Sequence, residues 1–92
     1  MNKYINGKKY DTDISMIIEG FRGCREYYSM SVFVTEDIAY DVPNPFDDEI
    51  GNAALGVRED VNCLSFLAEN RTALVFIPLD KIASIELNLF EK

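Results

Sequence analysis

Apolar and polar residues alternate with a period of two in four separate runs along this chain. "EYYSMSVFVTED" (26–37) sets Tyr28, Met30, Val32 and Val34 against Tyr27, Ser29, Ser31, Phe33 and Thr35. "VNCLSFLA" (61–68) and "TALVFIPL" (72–79) alternate on either side of the polar break "ENR", and "IASIELNLF" (82–90) does so again. Side chains two residues apart share a face of a strand, whereas a helix repeats near 3.6, so each run predicts a β-strand. The runs around "ENR" predict a hairpin. Pro78 has no N–H to donate, which places it at a strand end or edge, and "DK" at 80–81 is a tight corner before the last strand.

Upstream, Asn6-Gly7 lies between β-type residues and suits a two-residue hairpin turn, which predicts strands at about 2–5 and 8–12. "DISMIIEGF" alternates Ile14, Met16 and Ile18 with Ser15, Ile17 and Glu19, which adds a strand. "GFRGCRE" then turns the chain. "DVPNPFDDEIGNAALG" (41–56) reads as an amphipathic helix from about 45 to 55. Asn44 would be its N-cap and Pro45 its first residue, with Asp47, Asp48 and Glu49 in the first turn, where free N–H groups favour negative charge. Phe46, Ile50, Ala53, Ala54 and Val57 fall in one stripe, and Gly51 in the interior is unfavourable by about 1 kcal/mol against alanine. The expected architecture is α+β and mostly β. It is one domain over 1–92, a small curved antiparallel sheet or partly open β-barrel of six or seven strands, with one short helix near 45–55.

"ALVFIPLDKIASIEL" (73–87) resembles the last two strands of an Sm-like or SH3-like small β-barrel, in which a strand, a one-turn corner and a final strand close the barrel. The likeness covers about 15 residues. Sm-like domains often pair edge strands into rings, and many bind RNA or small nucleotides, which is what the resemblance implies here; they usually begin with a helix, whereas the helix expected in this chain sits mid-chain. No functional residue carries over.

The formal charge of −7 is unevenly distributed. Residues 1–25 balance at +2, and 61–92 at −1. Between them, 26–60 carry Arg58 against nine acids, a balance of −8. A field of that sign repels phosphate backbones, which disfavours direct nucleic-acid binding, and attracts a basic protein surface. The candidate partner-binding residues are Glu36, Asp37, Asp41, Asp47, Asp48, Glu49, Glu59 and Asp60. The opening "MNKYINGKKY" has no apolar signal core and no apolar run is long enough to span a bilayer, so a soluble, cytoplasmic, membrane-free protein with reduced cysteines is expected.

Chemistry is sparsely signalled. Histidine is absent, and Cys24 and Cys63 have no metal-ligand spacing, which removes Cys/His zinc sites. The acids "DTD" (11–13), Asp37 with Asp41, and "DDE" (47–49) lack the spacing of a calcium loop, so no metal is expected. Arg22 and Arg25 could activate Cys24 as a thiolate, but an ordinary turn cysteine is the simpler reading. No glycine pattern cradles a phosphate, so no cofactor is expected and the chain does not read as an enzyme. Arg22, Arg25, Tyr27, Tyr28 and Tyr40 could line a small-ligand pocket.

Three functions follow in order of preference. The first is a non-catalytic acidic binding or regulatory module that self-associates and engages a protein partner. The second is an inhibitor whose carboxylates imitate nucleic acid, of the kind found in phages and mobile elements. The third is a nucleotide-binding oligomer.

Overall fold

The computed structural model describes residues 10–90. Along them run helix α1 (Tyr10–Arg22), strands β1 (Tyr27–Phe33) and β2 (Ala39–Pro43), helix α2 (Glu49–Ala54), strands β3 (Gly56–Arg58), β4 (Cys63–Leu67) and β5 (Leu74–Pro78), a one-turn 3₁₀ corner (Leu79–Lys81), and β6 (Ser84–Leu89). The strands form two antiparallel three-stranded sheets, ordered β2-β1-β6 and β3-β4-β5. The mostly β, α+β class is as the alternation predicts. The sheets stay separate, so the barrel is not closed.

The strand expected at 14–18 is instead part of α1, as are residues 10–12 of the strand expected at 8–12. Residues 2–5 and the Asn6-Gly7 turn lie outside the described residues. Ile14, Ile18 and Phe21 are buried and stand at i, i+4 and i+7, within one 60° stripe of a helix. Met16 lies about 200° from Ile14 on that helix and is 69% exposed. Ile14 and Ile18 satisfy both periods; Phe21 decides between them. Gly20 does not stop the helix, which runs on to Arg22.

β1 is the central strand of its sheet, as a strand with apolar groups on both faces should be. Met30 and Val32 are buried on one face, while a register shift between Tyr27 and Ser29 leaves Tyr28 exposed against the Phe90 ring. β2 was not anticipated, although Ile38, Tyr40 and Val42 alternate with Ala39, Asp41 and Pro43. Only Val42 of that set is buried, and two prolines with an acid hide the pattern. β3 is three residues long, too short for any periodicity to show.

The hairpin across "ENR" forms as β4 and β5, with Leu64 opposite Ile77 and Phe66 opposite Val75. Pro78 ends β5, and the corner leads into β6, so the strand–corner–strand run expected over 73–87 is present and passes from one sheet to the other. Side chains from α1 (Ile14, Ile18, Phe21) and from both sheets (Met30, Val32, Val42, Leu64, Phe66, Ile77) meet in one buried cluster.

α2 begins four residues later than expected, at Glu49, with Asp48 as its N-cap. Asp47 has φ 56°, a left-handed conformation that a helix starting at Pro45 cannot contain. Ala54 and Leu55 face inward, and Ile50, expected inside, is 63% exposed.

Candidate functional site

Asn44, expected as a helix cap, is a buried staple. Its Nδ2 donates toward the carbonyl oxygens of Phe21 (2.8 Å), Tyr27 (3.1 Å) and Cys24 (3.3 Å), and its backbone N–H donates to Tyr28 O at 2.9 Å. The end of α1, the following turn and the exit of β2 are thereby tied to one side chain.

α2 is held at both ends by side chains from outside the helix. Arg22 on α1 donates from Nη1 to Asn52 O (2.9 Å) and Asn52 Oδ1 (2.8 Å), and from Nη2 to Leu55 O (2.9 Å). Arg58 Nη2 donates to Ala53 O at 3.2 Å, and Ser65 Oγ donates to Ala54 O at 2.7 Å. The last carbonyls of a helix have no partner within it, and positive charge is favourable there. Two arginines and a buried serine supply both needs.

At the other end Asp48 Oδ1 accepts from Gly51 N–H at 3.1 Å, and Oδ2 accepts from Arg71 Nη1 at 2.7 Å. A side chain on Gly51 would place its Cβ 2.7 Å from Asp48 Oδ2, so the glycine that weakens the helix locally makes room for this carboxylate. The Arg71 guanidinium, helped by the Gly51 amide, holds the Asp48 carboxyl below the ordinary aspartate range, and Asp48 raises Arg71 in return. Beside this pair lies a cleft of about 110 Å³, with Val42, Leu55 and Phe66 in its walls and Glu69 at its side. That volume is well under the roughly 300 Å³ at which pockets for drug-sized ligands begin.

The eight acids therefore divide. Asp47 lies 3.8 Å from Arg25, and Asp48 is bound to Arg71. Glu36 and Asp37 occupy the β1–β2 turn, and Glu59 and Asp60 the β3–β4 turn. Glu49 opens α2. Asp41, on β2, accepts from Ser31 Oγ at 2.9 Å. Glu36, Asp37, Asp41, Glu49, Glu59 and Asp60 are exposed and make no ion pair among the described residues. Exposed Ile38 and Tyr40 stand among the first three of them on the β1–β2 hairpin.

The residues grouped as a ligand pocket each have a separate neighbour. Arg22 clamps α2, and Arg25 lies 4.6 Å from the centre of the Phe46 ring. Tyr27 packs near Phe21, Tyr28 on Phe90, and Tyr40 edge-on to Phe66. None of the five lines the cleft beside Asp48. Both cysteines are free thiols and half-buried. Among the described residues no three cysteine or carboxylate side chains come together as metal ligands, and no helix is long and apolar enough to cross a membrane. Sequence reasoning missed the Asp48–Arg71 pair and the α2 clamps, because each joins residues more than 20 positions apart or needs the helix boundary first.

No protein-family model, no curated protein and no solved structure matches the chain.

Proposed function

We propose that this chain is a non-catalytic acidic binding module that self-associates and engages a basic protein surface through its middle third. The observation that carries the reading is the division among the acids. Arg25 and Arg71 neutralise Asp47 and Asp48. Glu36, Asp37, Asp41, Glu59 and Asp60 lie in turns and on an edge strand with no neutralising partner among the described residues. Carboxylates left without a cationic partner on a marginally stable scaffold repel one another, which fits a use outside the fold. Ile38 and Tyr40, exposed beside Glu36, Asp37 and Asp41, supply the apolar and aromatic contacts that interfaces concentrate at their centres.

The test is capture by the immobilised full chain from its native cell extract, compared with a variant carrying Glu36→Gln, Asp37→Asn, Asp41→Asn, Glu59→Gln and Asp60→Asn. The expected result is a partner of basic surface that is retained at low salt by the unaltered chain and lost by the variant. Retention by both chains alike, or binding indifferent to salt, contradicts the reading.

A further inference from the structure

The self-association in that reading needs a surface, and β5 offers one. The backbone bonds Ala68 N–H to Ala73 O (2.9 Å) and Leu79 N–H to Asn62 O (3.1 Å) bracket the β4–β5 ladder. Antiparallel bonding alternates, so Ala73, Val75, Ile77 and Leu79 turn their peptide groups toward β4, and Leu74 and Phe76 turn theirs to the open edge. Among the described residues β5 pairs with β4 alone. At those same two positions the side chains are exposed, Leu74 at 46% and Phe76 at 48%. The strand carries no charge. The other edges are guarded in the ways that edge strands are kept from pairing: β3 has three residues, β6 carries Glu86 at mid-strand, and β2 turns Asp41 and the N–H-less Pro43 outward.

We infer that a second copy of this chain pairs with β5, antiparallel, about a two-fold axis at Val75. That register sets Leu74 opposite Phe76 of the other copy, twice. It forms four backbone hydrogen bonds from Leu74 and Phe76, with Pro78 outside the ladder. Each Leu74–Phe76 contact is an apolar cross-strand pair. The flanking charges agree with the direction: Glu69 and Arg71 precede the strand, and Asp80 and Lys81 follow it. Antiparallel pairing brings Glu69 toward Lys81, whereas parallel pairing would set like beside like. The interface is small, so the dimer is a transient one that forms at high protein concentration. Two chains of charge −7 repel, so salt strengthens this contact while it weakens capture of a basic partner.

Sedimentation equilibrium of the full chain, over about 5 to 500 µM, tests the inference. The mass is expected to rise from 10.5 kDa toward twice that value. Leu74→Lys and Phe76→Glu, both at exposed positions, are each expected to stay monomeric with an unchanged circular-dichroism spectrum. Mixed together, they are expected to form a heterodimer, because the register places the ammonium of Leu74→Lys in one chain opposite the carboxylate of Phe76→Glu in the other. A native chain that stays monomeric throughout overturns this inference and the self-association it rests on. A native dimer that both single variants retain overturns the β5 edge and leaves self-association standing. Monomeric variants that fail to associate when mixed overturn the register.

Discussion

Two side chains carry more of the structure than their types suggest. Asn44 faces three carbonyl oxygens, a setting that asks for a donor and nothing else. Asn44→Asp replaces that donor by a buried carboxylate among acceptors and is expected to destabilise by roughly 3 kcal/mol or more, and by more than Asn44→Ala, in urea unfolding. Asp48 is the second. Its folded pKa lies below its unfolded one, so its contribution is present above the ordinary aspartate range, about pH 4, and is lost as pH falls through the lower folded value. The melting temperature of Asp48→Asn should therefore trail that of the native chain at pH 7, and the gap should narrow below pH 4. A gap independent of pH would mean that Arg71 and the Gly51 amide do not act on the ionised form.

Among the elements, α2 depends most on the rest of the chain. Six residues are too few to hold a helix by themselves, and its stability comes from Arg22, Arg58 and Ser65 at one end and Asp48 at the other. Arg22→Ala is expected to lower unfolding stability by roughly 2 kcal/mol, and Arg22→Lys to recover little, because an ammonium group cannot reach Asn52 O and Leu55 O with the guanidinium's fork. β1, β4, β5 and β6 were legible in the sequence because each half-buried strand repeats its pattern over at least five residues. α1 was not, since the buried Ile14 and Ile18 fit either period and the decisive Phe21 sits beyond a glycine that suggests a turn. The start of α2 was misplaced because Asn-Pro and three acids are a helix-entry signal at more than one position. The left-handed Asp47 selects the later one.

For the whole molecule, the sign and place of the charge were plain from composition, but the local balance was not. Residues 26–60 look nearly unrelieved in sequence, yet the fold carries Arg22, Arg25 and Arg71 from outside that span onto α2 and the loop before it. Asp47 and Asp48 beside α2 thus have cationic neighbours, while Glu49 on the helix and the acids of the β1–β2 hairpin and the β3–β4 turn have none among the described residues. That redistribution is tested by an amide chemical-shift titration of the isotope-labelled chain with the basic protein that it captures. Perturbations are expected to concentrate at 36–41 and 59–60, with little change around Asp48 and Arg71. Shifts confined to α2 and the 69–71 turn, with the two acidic turns silent, would contradict it.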